Sequence, residues 1–312
     1  MLTLCFGATM SFSARAQRID AARIYVEPDG WSIGTTFGLC DMWGDVGTKS
    51  PIDHYANSKY FDKVCFMGGM FGRYNIHPAL AVRMMVNYGT AFATDRWNYD
   101  KAKVAKTQGD DAYQRYARNQ TAKANIEEAA GMIEIIPFRL NPQSRAAHRR
   151  GQLVLGGGLG IFHYTPYSTV GNTGDNWVAT YDLHVEGQNF GPGYPPNYSL
   201  WSLNIPLMLA YRWDLGQHLN LGIEYTYRMT FTDYLDGVSG KYIDPKSYSI
   251  YLDAHDAALA QEVADKGYLN GLEPKNVAGN MRGNPSNKDG YSTFSISLYY
   301  KVPTRTREWW HM

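Results

Sequence analysis

The chain has 312 residues, of which 44% are hydrophobic, 14% aromatic and only 19% charged, with Lys+Arg 30 against Asp+Glu 29. That balance gives no basic field for nucleic acid, and no run of about 18 apolar residues marks a membrane-crossing helix. The 24 Tyr and 31 Gly, without sustained heptads, exclude a coiled coil or helical repeat and leave an all-β chain.

Leu2 to Phe12 is short and mostly apolar, and Ala14-Arg15-Ala16 offers a small-residue cleavage site before Gln17. A signal peptide over 1–16 and a periplasmic segment over 17–30 are expected, although no basic residue precedes the apolar stretch. Leu2-Thr3-Leu4-Cys5 lacks the apolar run and the small residue of a lipid-anchor site. Cys5 leaves with the leader. Cys40 and Cys65 lie next to the ends of neighbouring strands, where a disulfide and two free thiols are equally compatible with the sequence.

A period of two then recurs eight times, as in a strand whose faces meet different solvents. Trp31-Ile33-Thr35-Phe37-Leu39 is the first such strand, and Val64 to Tyr74, apolar on both parities, is the second. Leu80-Val82-Met84-Val86-Tyr88 follows. Ile126 to Phe138 carries Glu128 and Glu134 on one parity and Ile133 and Ile135 on the other. Leu153 to Tyr164 sets Leu153, Leu155, Leu159 and Ile161 against Gly156, Gly158 and Gly160. The clearest strands are Trp201 to Trp213, Leu219 to Phe231 and Phe294 to Val302. Roughly 9–13 residues per strand suit a tilted bilayer crossing.

The connections alternate in length. Those at 75–79, 139–152 and 214–218 are short, and those at 41–63, 93–125, 165–199 and 232–290 are long. Short periplasmic turns and long extracellular loops are the habit of outer-membrane barrels, whereas a soluble sandwich has no reason to alternate so. Trp31, Tyr88, Trp201, Trp213 and Tyr300 fall near strand ends, where amphipathic rings form girdles. The predicted fold is an eight-stranded antiparallel transmembrane β-barrel over 31–302, with a periplasmic tail over 303–312. Both termini are then periplasmic.

Arg83, Glu128, Glu134, Asn204, Arg212, Glu224, Arg228 and Lys301 share the polar parity. On a lipid face each charge would cost about 2–4 kcal/mol near the midplane. A lumen network of Arg83, Glu128, Glu134, Arg212, Glu224 and Arg228 is therefore expected, with no conducting pore. In the loops, Asp110 to Arg118 reads as a short helix and Asp253 to Lys266 as a capped one, packed over the barrel mouth or docking a partner.

Chemistry-bearing motifs are few. The run Gly156-Gly157-Gly158-Leu159-Gly160 lacks the Lys-Ser/Thr ending of a phosphate-binding loop. None of His54, His77, His148, His163, His184, His218, His255 and His311 falls on the polar parity of a clear strand. Asp233, Asp236 and Asp244 could bind a cation, but their spacing fits no known calcium loop. No catalytic, cofactor or metal residues are assigned, and neither an enzymatic activity nor a small-molecule substrate is expected.

Specific residues carry a resemblance. The stretch Leu221 to Asp244, above all Phe231-Thr232-Asp233-Tyr234-Leu235-Asp236-Gly237-Val238 with Tyr242 and Asp244, resembles the PorG-like family of outer-membrane β-barrels. Gly44-Asp45-Val46-Gly47, Gly72-Arg73-Tyr74, Ile136-Pro137-Phe138, Gly160 to Tyr164, Arg282-Gly283-Asn284-Pro285 and Leu298 to Lys301 are similar in the same order. The resemblance implies a non-catalytic component of the type IX secretion machinery, associated with a periplasmic ring of the lipoprotein PorK and of PorN. The alternative is a small surface, adhesion or membrane-integrity barrel acting through its external loops. For a ring partner, the candidate surface is periplasmic: His77, Arg139, Arg145, Arg149 and Arg150, the short turn near Gln217, and the tail with Trp309 and Trp310. Arg forks there suit partner carboxylates or lipid phosphates equally.

Overall fold

The computed structural model describes residues 30–49, 54, 63–141, 143–171, 176–216, 218–270 and 277–303. The leader, Gln217, Trp309 and Trp310 lie outside the described residues. Among these residues nine strands follow in chain order: β1 (Gly30–Trp43), β2 (Cys65–His77), β3 (Leu80–Thr94), β4 (Thr121–Ile135), β5 (Gly151–Val170), β6 (Asn176–Ala179), β7 (Trp201–Asp214), β8 (Leu219–Thr230) and β9 (Gly290–Lys301). Eight of them close an antiparallel barrel. β1 pairs with both β2 and β9, and the ring is completed through β4 with β5 and β5 with β7. The short β6 pairs with the far end of β5, at Tyr167 to Val170, beyond the part that pairs with β7.

Alternation sorts the wall into two faces. Phe37, Met84, Leu159 and Ile296 are among the outward residues, 59–71% exposed, and they belong to an apolar belt that includes Ile33, Val86, Ile133, Leu203, Leu209 and Ile223. Such a belt in water would far exceed the few hundred Å² a monomer normally leaves exposed, whereas hydrocarbon accepts it at no cost. Trp31 and Tyr74 meet with tilted rings at one rim of the belt, with Tyr211 edge-on to Trp213. Tyr88 and Trp201 mark the other rim.

The strands run longer than the alternation suggests, up to 20 residues in β5. The extra length is at the long-connection end. At Ala91 to Thr94 both parities are buried, because connecting segments cover both sides of the wall there. Where both faces meet protein, alternation vanishes, so the sequence pattern stops short at Tyr88.

Both barrel termini open at the short-turn end, since Gly30 pairs with Asn75 and Lys301 with Ser32. The long connections carry α1 (Tyr99–Lys103), α2 (Asp111–Arg118), α3 (Lys246–Tyr251) and α4 (Ala254–Ala264). Asp110 caps α2 by accepting from the Ala112 N–H at 2.9 Å, and Asp253 caps α4 by accepting from Asp256 at 2.8 Å. Asn119 ends α2 in the left-handed region, at φ 57°. Leu183, Val185, Phe190 and Tyr248 pack with Ala257, Ala260 and Val263 of α4 into a separate apolar core. The four connections thus form a folded cap. Among the described residues no helix is long and apolar enough to cross a membrane.

Cys40 and Cys65 stand directly opposite one another in the β1–β2 register, and both are free thiols.

Candidate functional site

Two polar constructions are built into the molecule: one in the lumen and one in the cap. In the lower lumen, Glu134 of β4 is fully buried between three guanidinium groups. Arg73 Nε donates to it at 2.6 Å, Arg212 donates through both terminal nitrogens at 2.6 Å each, and Arg83 Nη1 lies at 3.4 Å. Glu224 of β8 takes the remainder, accepting from Arg83 at 2.8 Å and Arg212 at 3.3 Å. The Arg83 guanidinium also lies over the Phe71 ring, 3.8 Å from its centroid. Higher up, Glu128 accepts from Arg228 Nε at 2.7 Å, Asn87 at 2.7 Å, Asn204 at 2.9 Å and the Tyr291 hydroxyl at 3.1 Å.

The network therefore contains all six lumen residues named from the sequence, and adds Arg73. That residue alternates with Phe71 on the inward face of β2, but the strand's glycines hide the parity. Lys301 lies instead at the rim, where Asp214 pairs with it at 3.1 Å and with Arg139 at 3.6 Å. A void of about 10 Å³ remains between the two levels, lined in part by Arg83, Asn87, Glu224 and Arg228. That is room for about one water. The glycine run is part of the same inner wall: a Cβ on Gly156 would meet Met208 and Met132.

The cap is fastened by two buried carboxylates that sequence reasoning did not single out. Asp95, at the end of β3, accepts from the Gly47 N–H at 3.0 Å and the Gln120 N–H at 2.9 Å. It also accepts from Arg118 Nε and Nη2, each at 2.9 Å. Arg118 donates onward to the carbonyls of Arg282, at 2.9 Å, and Asp45. Glu186 accepts from the N–H groups of Ser239 and Gly240 and from Arg282 Nη1, each at 2.8 Å, and from the Tyr234 hydroxyl at 3.3 Å. Between them Asp95 and Glu186 join segments of all four long connections. Their only sequence signal is an isolated charge beside a strand or turn, which loops supply in abundance.

The family-like stretch lies in this seam. Leu235 and Val238 are buried, and the Thr232 hydroxyl meets that of Tyr164 at 2.7 Å. Asp236 accepts from the N–H groups of Val46 and Val238, each at 2.8 Å. Tyr242 is buried, Phe231 is exposed, and Asp244 accepts from the Lys246 N–H at 3.0 Å away from the seam. His54, unassigned from sequence, stacks on Trp43 with centroids 4.6 Å apart and pairs with Asp41 at 2.5 Å.

Lys266 is buried in the cap, with its Nζ donating to the hydroxyls of Ser168 at 2.8 Å and Thr169 at 3.1 Å. Burial, reinforced by Arg282 and Arg96, pushes the ammonium down from 10.5 to about 7. Between those values an opened cap binds a proton that the closed cap refuses. Cap stability therefore rises with pH from about 7 to 10.5 and falls as pH drops toward 7. Lys266→Met is expected to remove a slope of up to about 1.4 kcal/mol per pH unit. The check is limited proteolysis of the loops in both proteins across that window, and parallel pH profiles would contradict it.

At the opposite end, Arg145, Arg149 and Arg150 are exposed on the connection from β4 to β5. Gln152 pins that connection from the lumen side, donating to the carbonyls of Ala146 at 3.0 Å, Ala147 at 3.2 Å and Arg149 at 2.8 Å. His77 is exposed nearby in the sequence of short turns, its Nδ1 accepting from the Ala79 N–H at 3.2 Å. Among the described residues no group of three or more His, Cys, Asp or Glu side chains is arranged to hold a metal ion.

No family model and no curated protein matches the chain. Solved structures similar to it include Ail, the attachment invasion locus protein of Yersinia pestis, at 7% identity and TM-score 0.35, covering 88% of this chain and 99% of that one. Neisserial surface protein A is similar at 8% identity and TM-score 0.36, with 88% and 97% covered. The outer membrane protein OprG from Pseudomonas aeruginosa is similar at 9% identity and TM-score 0.33, again with 88% and 97% covered.

Proposed function

We propose that the chain is a non-catalytic outer-membrane barrel of the type IX secretion machinery, anchoring or contacting the periplasmic PorK and PorN ring through its short-turn end. The observation that carries this reading is the sealed lumen. Buried ion pairs fill it at two levels and leave a void of about 10 Å³, so the barrel has a place to hold partners at its ends and no route for cargo through its middle. The resemblance of Phe231 to Asp244 to the PorG-like family supplies the machinery. The apolar belt supplies the outer membrane and its lipids as surroundings. The long-connection cap then faces outward, and both barrel termini face the periplasm.

On this reading the ring meets Arg145, Arg149 and Arg150, together with Arg139 and His77 and the tail carrying Trp309 and Trp310. Replacing Arg145, Arg149 and Arg150 with Ala, and separately deleting residues 303–312, should lower co-purification of PorK and PorN by about tenfold in at least one case, as expected when an interface loses a charged or aromatic anchor. Wild-type recovery from both variants, each inserted normally, would remove this surface from consideration.

A surface or adhesion role is the second reading, favoured by Val104 and Ile250, which stand 78% and 73% exposed on the cap. Deletion of the gene separates the two. Lost cargo secretion supports the ring anchor, and intact secretion with lost adhesion supports the surface role.

A further inference from the structure

The lumen network carries one more positive charge than negative. Among the described residues Arg73, Arg83, Arg212 and Arg228 form their ion pairs with Glu128, Glu134 and Glu224 alone, and all seven side chains are buried. The rim offers no compensation, since Asp214 there serves both Lys301 and Arg139. An uncompensated charge in a low-dielectric interior is costly, and the usual remedy, release of a proton, is closed to arginine.

The void between the two levels borders that excess. Arg83 lines it. Its Nη1 donates to Glu134 and Glu224, but its Nε is buried and has no hydrogen-bond partner. Other groups around the void are donors with a proton to spare. Asn87 uses one amide proton on Glu128 at 2.7 Å, which leaves the second. The Thr293 hydroxyl accepts from Arg228 Nη1 at 3.0 Å and keeps its own proton. Thr36 and Thr226 add two further hydroxyls. Among the described residues Glu224 is the one carboxylate in the lining. Both of its oxygens are taken, Oε2 by Arg83 at 2.8 Å and Oε1 by Arg212 at 3.3 Å.

We propose that this void is a binding site for one monatomic halide, chloride under physiological conditions, which neutralises the lumen and joins its two levels. Size excludes phosphate, sulfate and carboxylates, because the free volume of about 10 Å³ suits one particle of roughly water size. A halide is somewhat larger than a water. Rotation of the threonine hydroxyls and the flexible thioethers of Met67, Met85 and Met208 supplies the difference. Chemistry favours the halide. A water must donate two protons as well as accept, and the carboxylate acceptor here is already used. A halide only accepts, and it brings the missing charge. Neither the ring partner nor the orientation of the barrel enters, so the site is independent of the secretion role.

The test uses the full-length protein folded in detergent micelles. Chloride is varied against gluconate at constant ionic strength, and urea unfolding is followed at each concentration. Above the dissociation constant, each tenfold rise in chloride should raise the folding equilibrium constant by about tenfold, the linkage for one ion bound to the folded state alone. Thr226→Val keeps shape and charge but removes a donor, and should move the onset of this dependence to about tenfold higher chloride. Arg83→Met equalises the lumen charges and should abolish the dependence. If Arg83→Met does not fold, Thr226→Val and the ion's position decide. That position is read from crystals grown with bromide in place of chloride, where one anomalous peak per chain should lie in the void beside Arg83. A folding constant independent of chloride overturns the proposal, as does a dependence that survives unchanged in the folded variants. Bromide found only on the outer surface also overturns it: the void then holds water and the lumen keeps its net charge.

Discussion

Replacing Glu134 with Gln should destabilise the barrel by about 3–5 kcal/mol, the cost of breaking a buried ion pair by removing one partner. The side chain keeps its shape and can still hydrogen bond, so the loss is one of charge. Arg73, Arg83 and Arg212 are each 2–4% exposed, and among the described residues Glu224 would remain as counter-ion for Arg83 and Arg212 alone. Arg73 fares worst, because its one ion pair among the described residues is to Glu134. Urea unfolding from micelles, followed by tryptophan fluorescence and by the gel-mobility shift of the folded barrel, measures the change. A shift below about 1 kcal/mol, the value of an ordinary surface pair, would mean that the lumen is wet enough to screen these groups.

Asp95→Asn should act on the cap and leave the barrel wall intact. The carboxylate accepts four hydrogen bonds, two of them from Arg118. An amide at this position cannot accept from all four donors, and it leaves the Arg118 charge buried without its ion-pair partner. Opening of the cap should become easier by about 3–5 kcal/mol. Added protease should then cut within the loop segments while the membrane-embedded strands remain resistant. Cleavage at the wild-type rate would show that Glu186 and the apolar core around Tyr248 hold the cap without Asp95.

How much of this was legible in the sequence depended on whether a residue had one wet and one dry neighbour. Leu207 and Leu209 point outward while Met208 is buried in the lumen, so β7 could be read residue by residue. The same parity grouped Arg83, Glu134, Arg212 and Glu224 on one face. It could not show that Glu134 would receive three arginines, because that depends on the β3–β4 and β5–β7 registers closing the ring. Arg73 was lost among glycines and methionines that leave no contrast between faces. At Ala91 to Thr94 the pattern failed because protein lies on both sides. The cap was least legible. Asp95 and Gly47 are 48 residues apart, and Glu186 and Arg282 are 96 apart. Contacts of that separation, made by backbone N–H groups to single carboxylates, have no periodicity. Helices α2 and α4 could be read because their caps are local.

The orientation of the barrel in the membrane is the claim on which the proposed partner surface rests. It is tested by single cysteines in a background where Cys40 and Cys65 are replaced by Ser. Intact cells are exposed to a membrane-impermeant maleimide, with the reporter placed at Arg149 in one protein and at Ile250 in the other. Ile250→Cys should label on intact cells, and Arg149→Cys only after the outer membrane is permeabilised. Labelling of Arg149→Cys on intact cells, with Ile250→Cys protected, would turn the barrel over and remove the short-turn end from contact with any periplasmic ring.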